Sequence, residues 1–461
     1  MMVDSLARRL AQYAHGFSPD AIPAACWAEA RRRVVDSLGC ALGAIASAPV
    51  AAAHAMIATA TLANGATVLG SGVQTMAEWA TFANGAAIRY LDFNDTYLSR
   101  EPAHPSDNLA AILAVAQIEG RSGADVLAAM TLAYEIQCRL CDAASIRARG
   151  WDHVTYGAIS SAIAAGWLMR LDIEQFAHAI ALAATPNAAL RQTRVGELSH
   201  WKGCAFANAA RNGVFAATLA RYGMTGPSQV FEGEMGFFKQ VSGPFDLPPM
   251  GGQPGADGFM LTRTYIKRYP AEYHAQSAIE AALSLREQMP SLENGLSIEA
   301  IEIDSFDAAV DIIGGFAEHW RPRSRETADH SMPYLVAVAL MDGDVTLASF
   351  SPGKLADPAL LALIQKISIH RDAALTAGYP DGIPNRLRIR LTDGRTLEAL
   401  CRYPTGHAKN PMNDAQVAEK FRGLAGAVFS PSQTEALLIG LENFADCRDL
   451  GALLATFTVA S

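Results

Sequence analysis

Apolar residues recur at helical spacing from the start of the chain to about residue 260. Segments such as SAIAAGWLMRLDIEQFAHAIALAA and AFANAARNGVFAATLARYG place apolar side chains every three or four positions, with Gly, Pro and Asn between segments. This pattern predicts a large all-helical domain over residues 1–264. The first residues, MMVDSLARRLAQYAHGF, predict an amphipathic helix, because they lack the apolar stretch and cleavage site of a signal peptide.

The periodicity changes after a Gly/Pro-rich stretch at residues 242–258. This stretch is the best candidate for a domain boundary; the alternative is an ordinary surface loop within one domain. Apolar and polar residues alternate over 300–306, which predicts a strand. Two further alternating runs over 386–403 flank Asp393-Gly394, which predicts a β-hairpin. Helical spacing also appears at 274–288 and 332–342.

These patterns together predict a mainly α fold with an α+β part. A large all-helical domain is joined to a smaller α+β lid domain over residues 265–405. The tail, residues 406–461, returns to helical spacing, and we expect it to pack back on the first domain.

Composition narrows the class of protein. The chain has 461 residues, of which 50% are hydrophobic and 18% are charged, so it can bury a large core and is not globally disordered. Its formal net charge is −9, which disfavours nucleic acid and anionic membranes as partners.

One stretch, residues 37–77, contains no Asp, Glu, Lys or Arg and therefore raises the question of a membrane span. It is built mainly from Ala, Gly, Ser and Thr, whose transfer free energies are small. We therefore predict close-packed buried helices here.

The seven cysteines are odd in number and irregularly spaced, which favours reduced thiols and a cytoplasmic protein. Cys138 and Cys141 form a CxxC motif on a predicted helix. Because no second cysteine pair lies nearby, we interpret them as core thiols and not as a metal or redox site.

The densest polar segment, residues 90–108, lies between two strongly apolar regions. Four of its ionisable side chains need partners: Asp92, Asp95, Glu101 and His104. One interpretation is that these four side chains form ion pairs and hydrogen bonds with one another and have only a structural role. The alternative, which we favour, is that a carboxylate orients a histidine for acid–base chemistry.

Further candidates lie on either side of the predicted boundary. His153 precedes a Gly/Ala/Ser-rich helix, where it either caps the helix or takes part in chemistry. Lys202 opens the next helix, where a cation opposes the helix dipole; this suggests an anion held by Lys202 and the helix terminus, with a surface lysine as the alternative.

Beyond the boundary, residues 266–276 place cations beside aromatics, and residues 321–334 are arginine-rich. Arginine clusters bind carboxylates or phosphates, or are simply solvated. Residues 403–409, with Tyr403, His407 and Lys409, follow the hairpin and are a third candidate, with an ordinary loop as the alternative. These clusters together predict a site between two domains for a small polyanion.

Seven motifs occur in an order that resembles one family, MmgE/PrpD, over about residues 5–455. They are LDFNDT, AHPSDN, GW-x-H, HWKG, KRYPAEYHAQSA, ADHS-x-PY and YP-x-GH. The resemblance implies a helical domain with a smaller α+β lid, no metal or organic cofactor, and a homodimer. It also implies site positions at Asp92, Thr96, His104, His153, Lys202, Lys267 and Tyr334. Local chemistry adds His274, Arg321 and Arg323 as substrate-binding candidates.

The family includes enzymes that dehydrate 2-methylcitrate and enzymes that decarboxylate cis-aconitate. The detail of the motifs resembles the dehydratases more, which implies a hydro-lyase of propionate catabolism that makes 2-methyl-cis-aconitate. Citrate and cis-aconitate are further possible substrates, and decarboxylation, isomerisation or plain polycarboxylate binding are the alternatives.

The resemblance assigns chemistry to particular side chains. We expect His104 and His153 to supply the base and the acid, in an order that the sequence does not fix. Tyr334 is a candidate hydroxyl partner. Asp92 is expected to orient His104, and Thr96 is expected to hydrogen-bond a substrate carboxylate.

Overall fold

The computed structural model describes residues 5–196, 198–289 and 297–459. The described residues form two compact units. The first comprises those within Met1–Gly196, His200–Ile266 and Asn413–Ser461. The second comprises those within Glu197–Ser199 and Lys267–Met412. The Gly/Pro-rich stretch at 242–258 lies wholly within the first unit, and the chain passes to the second unit after Ile266.

The first unit is built mainly from helices, with one short pair of strands between its third and fourth helices. In chain order, its elements up to the second unit are α1 (Leu6–Gly16), α2 (Ala24–Ala44), α3 (Ala48–Ile57), β1 (Thr61–Thr67), β2 (Gln74–Thr75), α4 (Ala77–Tyr90), α5 (Leu109–Ile118), α6 (Gly123–Ala143), α7 (Val154–Leu168), α8 (Ile173–Ala184) and α9 (Trp201–Arg221).

Helices α4 and α7 both pack against α9, and small residues allow the close approach. A Cβ added at Gly85 of α4 would lie 2.9 Å from the Cβ of Ala207 on α9. A Cβ added at Gly157 of α7 would lie 2.3 Å from a ring carbon of Phe206 on α9. The Ala- and Gly-rich composition therefore sets the distance between these helices.

The uncharged stretch 37–77 is only partly helical. It contains the end of α2, all of α3 and the antiparallel pair β1–β2, so the prediction of helices alone was wrong here. The small residues of β1 carry no strand propensity that would have revealed the pair. Among the described residues, no single helix is both long and apolar enough to cross a membrane; α2 and α3 pass that test only as a pair bent by 90°.

Cys138 and Cys141 lie on α6, where both are buried and free of disulfides. Burial raises the pKa of both thiols well above its usual value, so they stay protonated. The interpretation of this CxxC motif as two core thiols is confirmed.

The second unit combines helices with a four-stranded sheet. Its elements are α10 (Gln276–Arg286), β3 (Ile298–Ser305), α11 (Asp307–Ala309), α12 (Arg325–Ala328), α13 (Met332–Asp342), α14 (Pro352–Leu355), α15 (Pro358–Ile364), β4 (Ile367–Arg371), α16 (Ala373–Thr376), β5 (Asn385–Leu391) and β6 (Thr396–Cys401).

The strand order of this sheet is β4-β3-β5-β6. Strand β3 runs parallel to β4 and antiparallel to β5, and β5 pairs with β6 as the predicted hairpin. Gly394 in its turn has a φ of 88°, a conformation that glycine adopts without strain. Helix α10 packs against β5 and β6. The predicted mainly α fold with a smaller α+β part is confirmed.

The tail contributes α17 (Asp414–Ala425), α18 (Pro431–Glu442) and α19 (Leu450–Ala455), all within the first unit. Helix α17 packs against α2. Lys420 of α17 is buried and forms an ion pair with the fully buried Asp36 of α2. Its ammonium also donates a hydrogen bond of 2.7 Å to the carbonyl of Phe93. The tail thereby holds both α2 and the polar loop that follows α4.

Candidate active site in the first unit

The polar loop at residues 91–104 joins α4 to a short 3-10 turn, Pro105–Asn108, and most of it is buried. Asp95 organises it: its carboxylate accepts hydrogen bonds from the Tyr134 hydroxyl of α6 at 2.6 Å and from the Ser106 amide at 2.9 Å. Asn94 donates to Ser106 Oγ at 2.9 Å and to Asp107 at 2.7 Å. These contacts close the loop on itself and present His104 at its end.

His104 is held through its Nδ1 atom. That nitrogen lies 2.7 Å from the carbonyl oxygen of Asp95 and 2.9 Å from Thr96 Oγ1. Because a carbonyl oxygen can only accept a hydrogen bond, Nδ1 carries a proton, and Nε2 is the basic atom of the neutral ring. The carbonyl of Asp95 and the hydroxyl of Thr96 therefore orient the ring through Nδ1.

His153 lies at the start of α7. It is also held through its Nδ1 atom, in this case by a carboxylate. Its Nδ1 lies 2.9 Å from Asp152 Oδ1, and its Nε2 is buried with no hydrogen-bond partner among the described residues. Burial lowers the pKa of His153, and the charge of Asp152 offsets part of that effect. The ring is therefore neutral at pH 7, with a desolvated, basic Nε2.

The two imidazole rings lie close together. Their ring centroids are 5.9 Å apart, and the planes are inclined by 60°. Both Nδ1 atoms are occupied by acceptors on the loop or at the helix start, so both rings use Nε2 for any chemistry. Two imidazoles so arranged can remove a proton from one atom of a small molecule and deliver one to another.

Asp92 lies between two cations. It forms ion pairs with Arg89 and, at 3.4 Å, with the ammonium of Lys202 at the start of α9. Lys202 is 5% exposed, so a surface lysine is excluded, and the anion beside it in this structure is Asp92. Asp92 has a φ of 52°, in the left-handed region that Asp and Asn adopt more readily than other non-glycine residues.

Glu101 and Asp107 have different surroundings. Glu101 Oε2 accepts hydrogen bonds from the Ile146 and Arg147 amides at 2.8 and 3.0 Å, so it has a structural role in the loop after α6. Asp107 lies 3.6 Å from Arg89 Nε. Burial raises the pKa of the Asp107 carboxyl to about 7, with Arg89 opposing the rise.

Replacing Asp92 with Asn is expected to lower the free energy of unfolding by about 3 kcal/mol, because Arg89 and Lys202 would lose their shared buried anion. Asn adopts the left-handed backbone as readily as Asp, so the variant isolates the charge. Urea unfolding followed by circular dichroism measures the change. Asp246→Asn removes the exposed partner of Arg9 and is the control, with an expected loss below about 1 kcal/mol. Equal losses in the two variants would contradict this account.

Five predicted site residues belong to the second unit. Lys267 and His274 are buried there, and His274 Nδ1 lies 2.7 Å from Glu272 Oε1. Arg321 and Arg323 are exposed. Neither guanidinium forms a hydrogen bond or ion pair with the described residues, so the predicted arginine clamp is not organised within this unit.

The structure does not support the catalytic prediction for Tyr334. The side chain is fully buried in the second unit, and its hydroxyl donates a 2.6 Å hydrogen bond to the Ser349 carbonyl. Burial raises the pKa of this phenol above its usual value. In this structure the proton of the Tyr334 hydroxyl is therefore directed at the backbone of the second unit.

Three residues that hold the site were not predicted from the sequence: Arg89, Asp152 and Arg194. Asp152 had a usable signal, since an acidic residue directly precedes a candidate histidine. Arg194 had none, because its partner Asp152 is 42 positions away. Among residues 5–196, 198–289 and 297–459, no group of three His, Cys, Asp or Glu side chains is placed to hold a metal ion.

Most of the chain matches known protein families. The MmgE/PrpD N-terminal domain family matches residues 8–250, and the MmgE/PrpD C-terminal domain family matches residues 269–446. A protein named 2-methylcitrate dehydratase from Cupriavidus necator is 34% identical over 433 residues, which cover 89% of this chain and 88% of the relative.

Similar relatives occur in another bacterium and in a yeast. A protein named 2-methylcitrate dehydratase from Escherichia coli K12 is 32% identical, and the match covers 88% of this chain and 87% of the relative. A protein named mitochondrial 2-methylcitrate dehydratase from Yarrowia lipolytica is 31% identical, and the match covers 94% of this chain and 86% of the relative. With both family domains matched over most of its length, the chain belongs to the MmgE/PrpD family.

Proposed function

We propose that this protein is a hydro-lyase that dehydrates 2-methylcitrate to 2-methyl-cis-aconitate. The observation that carries the proposal is the pair of imidazoles, His104 and His153, whose centroids lie 5.9 Å apart with both Nδ1 atoms fixed by acceptors. The choice of 2-methylcitrate as the substrate rests on the relatives that are named 2-methylcitrate dehydratase.

The elimination needs a base and an acid. His153 Nε2 is the proposed base: it takes the proton from the carbon next to a substrate carboxylate, and that electron pair forms the C=C bond. The C–O bond on the neighbouring carbon breaks as His104, in its imidazolium form, protonates the leaving hydroxyl to give water. Each such proton transfer contributes about 100- to 10,000-fold to the rate.

Removing that proton increases the negative charge on the adjacent carboxylate, so a fixed cation must stabilise it. We propose Lys202 for this role, because its ammonium is buried and is positioned by Asp92 at 3.4 Å. Lys267 and His274, with the exposed Arg321 and Arg323, remain proposed carboxylate-binding residues of the second unit. The reaction is proposed to need no metal or organic cofactor.

A turnover screen tests this proposal. Purified protein is incubated with 2-methylcitrate, citrate and cis-aconitate, with and without EDTA, and both product and CO₂ are measured. We expect water loss from 2-methylcitrate that EDTA does not change. Release of CO₂ from cis-aconitate would favour a decarboxylase, and loss of activity in EDTA would contradict the metal-free reaction.

The pH dependence of kcat/KM tests the assignment of the base. His153 must be neutral to accept a proton, and burial lowers its pKa below the usual 6.5. Activity is therefore retained until the pH falls through that lowered pKa. We expect the acidic limb to have its midpoint below pH 6.5. A midpoint above pH 7 would exclude a neutral, desolvated His153 as the base.

We also propose that the protein is a cytoplasmic homodimer. Light scattering on the purified chain, which has a monomer mass of 49.0 kDa, tests the assembly. Fractionation of the source cells tests the compartment.

A further inference from the structure

Arg194 lies next to the candidate base but does not touch it. It ends the 3-10 turn Arg191–Arg194, and its Nε donates a 3.0 Å hydrogen bond to Asp152 Oδ2. The other oxygen of the same carboxylate, Asp152 Oδ1, lies 2.9 Å from His153 Nδ1. One fully buried carboxylate is therefore shared between a guanidinium and the imidazole of His153.

The same guanidinium makes a second contact on the other side of the site. Arg194 Nη1 donates a 3.2 Å hydrogen bond to the carbonyl oxygen of Lys202, in the first turn of α9. The chain before Arg194 is itself anchored near His153, because the Asp152 amide donates to the Ala189 carbonyl at 2.8 Å. Arg194 thus joins the start of α7, which carries His153, to the start of α9, which carries Lys202.

We infer that Arg194 is a positioning residue of this site, which holds the Asp152–His153 pair in fixed register with Lys202. The inference rests on the proposed function for its catalytic consequence. The planar guanidinium supplies donors at fixed angles, so it makes both contacts at once. A lysine ammonium at this position would keep the charge but would not reproduce the rigid two-sided geometry.

The charges around His153 predict the direction of a measurable effect. Asp152 and Glu101 raise the pKa of the imidazole, whereas burial and the positive charge of Arg194 lower it. The ring of His104 is the other titratable group that faces it, at 5.9 Å. Removing the charge of Arg194 should therefore raise the pKa of His153 and move the acidic limb of kcat/KM to higher pH.

The test compares Arg194→Met and Arg194→Lys with Arg191→Met as the matched control. Arg191 lies on the same turn and interacts with Asp152 through its charge, but its guanidinium forms no hydrogen bond or ion pair with Asp152 among the described residues. We expect both Arg194 variants to lose about 10- to 100-fold in kcat, because a small displacement of a catalytic group has that effect. Only Arg194→Met should also shift the acidic limb upward. The control should keep the kcat of the parent protein.

A readout that does not require turnover separates this inference from the proposed function. The pKa of His153 is followed by NMR in protein labelled with ¹⁵N-histidine, with the His153 signal assigned from a His153→Gln variant. A rise in Arg194→Met that is absent in Arg191→Met supports the inference, even if the parent protein dehydrates no tricarboxylate. Equal pKa values in these two variants, or a parental kcat in Arg194→Lys, would overturn it.

Discussion

Replacing His153 with Gln is expected to lower kcat for 2-methylcitrate by about 100- to 10,000-fold while leaving the fold intact. Gln keeps a polar side chain of similar length, but its amide cannot accept a proton as the imidazole Nε2 does. The loss should appear in kcat and kcat/KM alike, because proton removal occurs only in the transition state. Steady-state kinetics on the purified variant measures it.

A matched control separates the loss of a base from the loss of a buried histidine. His54 on α3 is half-buried, and burial lowers its pKa as it does for His153. His54→Gln should therefore retain parental kcat. If His153→Gln kept kcat within about twofold of the parent and His104→Ala did not, the roles of base and acid would have to be reassigned.

Replacing Lys420 with Met is expected to lower the free energy of unfolding by about 3–5 kcal/mol at neutral pH. The substitution leaves the carboxylate of Asp36 buried without its cation, and it removes the hydrogen bond to the Phe93 carbonyl. Burial already raises the pKa of Asp36, and Lys420 opposes that rise. Without the lysine, Asp36 should protonate on folding, so the loss should be smaller at pH 5 than at pH 8.

Urea unfolding at the two pH values measures this effect. Arg422→Met is the control on the same helix, because its ion pair with Glu435 is exposed and should contribute less than about 1 kcal/mol. The double variant Asp36→Asn/Lys420→Met should recover part of the stability. A loss in Lys420→Met that does not depend on pH would show that the ion pair is not its cause.

Periodicity was sufficient for the helices of the first unit and for the hairpin around Gly394, because those patterns are local. It failed for β1 and β2, which are too short or too irregular in sequence to show the alternation of apolar and polar residues that marks a strand. The parallel strand β4 was also missed, since its pairing with β3 depends on residues 66 positions apart, as between Ile301 and Ile367.

The candidate site likewise has features that local sequence predicts and features that depend on the folded structure. The motifs located both histidines and Lys202, but they did not locate Arg194, which contacts Asp152 from 42 positions away in the chain. One of the two contacts at His104 Nδ1 is made by the backbone carbonyl of Asp95, which no residue type reveals. A phenol in a family motif can be catalytic or structural, and the sequence does not distinguish the two roles. The burial of Tyr334 and its hydrogen bond to the Ser349 carbonyl became visible only in the structure.

The ion pair between α17 and α2 has a consequence for how the protein is made. Lys420 and the Phe93 carbonyl that it contacts are 327 residues apart in the chain. At about 5–20 residues per second, a ribosome takes roughly 15–65 s to reach the lysine after the polar loop has been synthesised. During that interval the nascent chain holds Asp36 without its cation. The first unit therefore completes its core only after translation of the second unit, so its final folding step is set by the end of synthesis.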